Sequence, residues 1–155
     1  MDQYRYTLTR NWIGGERGSL NFIMLNPSTA DDYVDDPTIR RCIGFAKRWG
    51  FSELVVTNLF AYRSTNPRHL AVLAAMDPVA AIGKDNDEIL REVARQSNMA
   101  VCAWGDHGEL LDRGMDMRAF LALSERQSYC IRLTKRGNPA HPVREPYTNR
   151  PVFFA

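Results

Sequence analysis

Residues 21–41 read NFIMLNPSTADDYVDDPTIRR and hold a strand, a polar loop and a capped helix in succession. Phe22-Ile23-Met24-Leu25 is a short apolar run of the kind that forms a buried strand. It breaks at Asn26-Pro27-Ser28-Thr29, because Pro27 has no N–H to give to a sheet ladder. Carboxylates follow at Asp31, Asp32, Asp35 and Asp36. A helix is expected next, with Asp36 as its cap and Pro37 at its first position. Open α/β sheets build their ligand sites from this unit, with the polar loop at the strand's carboxyl end.

Working outward, the helix carries Ile39, Ile43, Ala46 and Trp49 at helical spacing and stops at Gly50. Upstream, Tyr4 to Trp12 alternates weakly, and Gly14, Gly15 and Gly18 punctuate the chain before the Asn21 strand. That pattern predicts an antiparallel hairpin with a loose loop over Ile13–Ser19. Downstream, apolar strands are expected at Leu54-Val55-Val56 running into Thr57-Asn58, at Met99 to Trp104, and at Tyr129 to Leu133. Helices are expected from Pro67 to Ala75, from Lys84 to Ser97, and mainly over Leu110 to Ser124. The proline-rich end, Pro139 to Pro151, reads as an irregular cover.

Strands that alternate with helices imply a parallel sheet with right-handed crossovers. The expected fold is a single α/β domain over residues 1–155. It is a three-layer α/β/α sandwich whose central sheet is four-stranded and mostly parallel, with the N-terminal antiparallel hairpin added. The loops NPSTADDYVDD, NLFAYRSTN, WGDHG and TKRGNPAHP would then share one edge, and they hold most of the unusual polar residues.

The bulk composition narrows the function classes. The chain has 155 residues, is 45% hydrophobic and 25% charged, and carries a net charge of +2, values ordinary for a globular domain. So mild a charge permits an anionic ligand without demanding a nucleic-acid surface. Cys42, Cys102 and Cys130 are far apart and form no CxxC pair, so they read as buried reduced thiols in a cytoplasmic protein. MDQYRYTLTR is not a signal peptide. No apolar run approaches ~18 residues, so no membrane span is expected. Nothing in the sequence marks an oligomeric state.

Among the loop residues, Asn26 and Asn58 each end an apolar strand with a side chain that both donates and accepts. Ser28 and Thr29 share the first loop, and Arg63 in the second suits phosphate or carboxylate. His107 is either a turn histidine or an acid–base group. His141-Pro142 ends a rigid turn with Lys135 and Arg136 alongside, where a histidine can donate to a developing anion. The candidate catalytic residues are therefore Asn26 and His141. Candidate binding residues are Ser28, Thr29, Asn58, Arg63, His107 and Lys135. The four aspartates could bind Mg²⁺ or Mn²⁺, or could be a cap and solvated charges. There is no G-x-G-x-x-G, no P-loop lysine and no nucleophile elbow.

The runs FIMLNPSTAD, DPTIRR, NLFAYR, AWGDHG and TKRGNPAHP together resemble the signature of a bacterial and phage family, domain-of-unknown-function family 1643. A more distant resemblance is to the uracil-DNA glycosylase superfamily. Leu25-Asn26-Pro27 is similar to its first motif, Val56-Thr57-Asn58 to a mid-chain strand ending in Asn, and His141-Pro142 to its late His-Pro-Ser turn. That resemblance implies a glycosylase-like fold in which Asn26 positions water, Asn58 reads a base edge and His141 stabilises the departing base. Met24 and Ser28 stand where that superfamily has glycines, and Val143 where it has serine.

The leading expectation is a nucleobase- or nucleotide-binding cleft supporting N-glycosidic hydrolysis or base transfer, with no cofactor and no resident metal. Two alternatives stay open: a non-catalytic module for nucleotides or nucleic acid using Arg40, Arg41, Arg63, Lys135 and Arg136, and a metal-dependent phosphoester hydrolase.

Overall fold

The computed structural model describes residues 2–154. Along the chain the strands are β1 (Leu8–Asn11), β2 (Ser19–Met24), β3 (Glu53–Asn58), β4 (Met99–Cys102), β5 (Ser128–Cys130) and β6 (Val152–Phe153). The helices are α1 (Pro37–Arg48), α2 (Pro67–Met76), α3 (Pro78–Ile82), α4 (Asn86–Gln96) and α5 (Arg113–Leu123). The protein is an α/β fold on one mixed, six-stranded sheet in the order β1-β3-β2-β4-β5-β6.

β2 lies at the centre, parallel to both neighbours, with Phe22 opposite Val56 of β3 and Val101 of β4. β4 and β5 are also parallel. The period of two along β2 sends its side chains to opposite faces. Leu20, Phe22 and Met24 pack with Ile39, Cys42, Phe45 and Ala46 of α1. Ile23 packs on the other face, in the core that holds Leu70 of α2, Ala81 of α3, Leu90 of α4 and Leu121 of α5. Helix α1 therefore covers one face and the remaining helices cover the other.

Helix α1 begins as its sequence dictates. Asp36 Oδ1 accepts from the Ile39 backbone N–H at 2.8 Å, and Pro37 occupies the first turn. It ends at Trp49-Gly50, with Gly50 at φ 87° in the left-handed region that glycine adopts without strain. Asp77 is both the last cap of α2 and the N-cap of α3, so the Met76-Asp77-Pro78 break is followed at once by a further short helix.

Three expectations need correcting. The N-terminal strand is antiparallel, but its partner is β3 rather than β2, so the first two strands do not form a hairpin. The glycine loop crosses the start of β3 instead. Gly15 lies so close that a Cβ there would sit 2.5 Å from the Phe51 carbonyl oxygen, while Glu16 and Arg17 donate their N–H groups to Gly50. The sheet is also wider than four strands, because β6 in the proline-rich end pairs antiparallel with β5. Finally, the expected helix over Leu110–Ser124 starts late. Residues Asp106–Asp112 form a 3-10 segment broken by Leu111 and Asp112, both at positive φ (53° and 55°), and regular helix begins only at Arg113.

Candidate active site

The four loops do meet. The Asn26 amide nitrogen donates to Ser64 at 2.8 Å, tying the loop after β2 to the loop after β3. The Gly105 N–H donates to Pro139 at 2.8 Å, tying the loop after β4 to the one after β5. Between them, at the carboxyl ends of the parallel strands, lies an open cavity of about 740 Å³. Asn26, Ser28, Asn58, His107 and His141 all line it.

Asn58 is its most unusual wall. It is the last residue of β3, is 1% exposed, and neither its amide nitrogen nor its amide oxygen has a hydrogen-bond partner among the described residues. Leaving one buried polar group unmet costs about 1–3 kcal/mol, and here both halves of one amide are unmet. The strand end that carries it is firmly held. Asn86 donates to the carbonyls of Asn58 (2.8 Å) and Leu59 (3.1 Å), and Arg113 donates twice more to Leu59. Arg113 is in turn paired with Asp87 at 2.6 Å. The strand end is therefore pinned by its backbone, while the buried amide at the cavity wall has unused donor and acceptor capacity.

His141 is half-buried, and its Nδ1 accepts from the Val143 N–H at 3.2 Å. The neutral ring therefore carries its proton on Nε2, which has no acceptor among the described residues. Burial pushes the imidazole pKa down, and Asp36 opposes that shift. Asn26 is fixed in a similar sense: its amide nitrogen is committed to Pro27 and Ser64, and its oxygen accepts from no group among the described residues.

The remaining candidates are placed differently. Arg63 spans backbone carbonyls, donating to Ser28 and Ala30 at 3.0 Å each, and lies outside the cavity lining. Thr29 and Lys135 are exposed and also outside it. Of the arginines proposed as phosphate contacts, Arg136 is clasped by Glu109 at 2.6 and 2.7 Å. The aspartates are divided among separate tasks. Asp31 binds the backbone N–H groups of Tyr33 and Val34, which lowers its pKa; Asp35 pairs with Arg10; Asp36 caps α1. Among the described residues, no three His, Cys, Asp or Glu side chains form a group able to hold a metal ion.

Several lining residues escaped the sequence reading. Arg5 is 8% exposed, donates to the Ala30 carbonyl at 2.9 Å, and has an unpartnered Nε. Burial, reinforced by nearby Arg63, pulls its pKa down to about 10. Asp36, noted only as a cap or metal candidate, is a second wall at 7% exposure. Arg132 and Glu145 also line the cavity and are joined by bonds of 2.7 and 3.0 Å. The one available signal was Arg5 itself, a charge set inside the aromatic stretch Tyr4-Arg5-Tyr6.

Fold and cavity define an α/β protein with a polar site where parallel strands end, the position at which open α/β sheets hold ligands. The model of the family described as "Protein of unknown function (DUF1643)" matches residues 5–143, and the chain belongs to that family. The match runs from Arg5 past His141, so it spans the cavity-forming loops. No curated protein and no solved structure matches the chain.

Proposed function

We propose that the cavity binds a nucleobase, free or within a nucleotide, and supports cleavage or transfer at its N-glycosidic bond. The observation that carries this reading is the Asn58 amide, buried at the cavity wall with both halves unpartnered. A flat ligand edge with one donor beside one acceptor, as on a nucleobase, would satisfy both at once. Two further groups suit the chemistry. The open oxygen of Asn26 can accept from a water and orient it toward the anomeric carbon. As the C–N bond breaks, its electron pair moves onto the base, and the Nε2–H of His141 can donate to the oxygen where charge develops. Water supplies the hydroxyl to the sugar, and its other proton ends on the departing base. The distant resemblance of Leu25-Asn26-Pro27, Val56-Thr57-Asn58 and His141-Pro142 to uracil-DNA glycosylase motifs agrees with the assignment as an analogy.

The test is a thermal-shift panel of bases, nucleosides and nucleotides, followed by turnover assays on whichever ligand raises the melting temperature. At 100 times its dissociation constant a ligand stabilises the native state by about 2.7 kcal/mol, a readily visible shift. Asn26→Ala should retain the shift and lose turnover, whereas His141→Ala should reduce both. If both variants bind and turn over every such ligand as the wild type does, the reading fails. Binding without turnover would instead select the non-catalytic alternative.

A further inference from the structure

Helix α1 leads away from the cavity, with Thr38 and Ile39 in the cavity wall and Arg48 at the far end. There a second hollow of about 370 Å³ is lined by Arg17, Arg48 and Arg150, with Trp49, Tyr147 and Asn149 among its other walls and no carboxylate. Among the described residues the ion pairs are Arg10–Asp35, Arg113–Asp87, Arg132–Glu145 and Arg136–Glu109, so these three guanidiniums are unneutralised.

The ground between the two openings is built in the same way. The Tyr147 ring lies against α1 at Gly44, where a Cβ would come within 2.5 Å of the phenol oxygen. Arg41 and Arg48 flank this ring at 4.0 and 3.9 Å from its centre, and Arg41 also donates to the Val143 carbonyl. Arg144, next in sequence to Val143, returns to the cavity lining. Arginines held on an aromatic plane keep donors facing outward and stay flat, which suits phosphate recognition. Like charges gathered without a counter-charge repel one another, and an anion in the hollow would relieve that repulsion.

From this juxtaposition we infer that the hollow is a phosphodiester-binding site, and that the cavity's ligand is one unpaired base of a polynucleotide strand whose backbone follows α1 past Arg144, Arg41 and Arg48 to Arg17 and Arg150. The inference rests on the base-binding reading of the cavity. From Thr38 to Arg48 the helix rises about 15 Å, which a strand stacked as in a duplex, at about 3.4 Å per nucleotide, covers in roughly four or five nucleotides and a more extended strand in fewer. Length is therefore the signature: a mononucleotide or dinucleotide fills only the cavity, and a longer strand reaches both sites.

The experiment titrates the full chain with single-stranded DNA and RNA of two, four, six and eight nucleotides, and with the mononucleotide, at two salt concentrations. Affinity should rise at least tenfold between two and six nucleotides and then level off. Three phosphate contacts predict that the added affinity falls roughly 20-fold between 50 and 200 mM salt. The double variant Arg48→Gln/Arg150→Gln, at two exposed positions, should erase the length dependence while leaving mononucleotide binding unchanged; Arg48→Lys should keep part of it. Mononucleotide binding with no gain on lengthening, or a gain that survives the double variant, overturns the inference and leaves the cavity reading standing. Failure of mononucleotides and strands alike to bind overturns both. The DNA and RNA arms assign the sugar.

Discussion

At the scale of single residues, His141 links the cavity to pH. Its ring is neutral in the folded state because burial lowers its pKa from the ordinary 6.5 and because Nδ1 already accepts the Val143 N–H. The unfolded chain takes up a proton near that ordinary value and the folded chain resists it. The contribution is therefore fully present above pH 6.5 and is lost as pH falls through the lowered folded value. Melting temperatures measured across this acidic range should fall more steeply for the wild type than for His141→Gln. Superimposable profiles would contradict a half-buried, neutral imidazole. The same tautomer keeps Nε2–H as the donor that the proposed chemistry calls for.

At the scale of elements, Asp36 joins fold to site. One carboxylate oxygen caps α1 through Ile39 and the other accepts from the Ala30 N–H at 3.3 Å, so it fixes both the helix start and the loop that forms the cavity rim. Asp36→Ala removes both acceptors and should cost about 1–2 kcal/mol in urea unfolding. Asp36→Asn, which keeps an amide oxygen on the cap, should recover most of that loss. An Asp36→Ala cost below about 0.5 kcal/mol would place the helix start under other control. The clasp of Glu109 on Arg136 works similarly on the far loops. It holds the Glu109 carboxyl down at about 2, and with Thr134 and Asn138 bonded to Asp106 it ties the turn after β5 to the 3-10 segment.

At the scale of the whole molecule, the sequence foretold the parts governed by local rules. Pro27, Asp36, Pro37 and Gly50 specify the end of one element or the start of the next, and the structure keeps each of those boundaries. The meeting of the four loops followed from parallel pairing alone. What stayed hidden depends on partners remote in sequence. Gly14, Gly15 and Gly18 announce a turn but not its direction, and β1 pairs with the outer side of β3 while Gly15 packs against Phe51, 36 positions away in sequence. Leu111 and Asp112 adopt left-handed backbone that no glycine announces. The arginines were least legible. Arg5 and Arg113 are buried and Arg136 is clasped, whereas Arg17, Arg48 and Arg150 gather without carboxylates, and the one-letter code is the same for all. At the site, Asn26, Asn58 and His141 were visible because each stands at a strand end or on a rigid turn. Arg132 and Glu145 were not, because their pairing spans two irregular segments.

The proposed role of Asn58, a buried amide kept unpartnered for a ligand, is decided by the ligand-free stability of Asn58→Leu. Replacing an unsatisfied buried amide with an apolar side chain of similar size should leave stability unchanged or raise it by about 1 kcal/mol. The same variant should lose the thermal shift given by the ligand that stabilises the wild type. A clear destabilisation, or a ligand shift that survives the substitution, would make Asn58 a structural residue and refute that role.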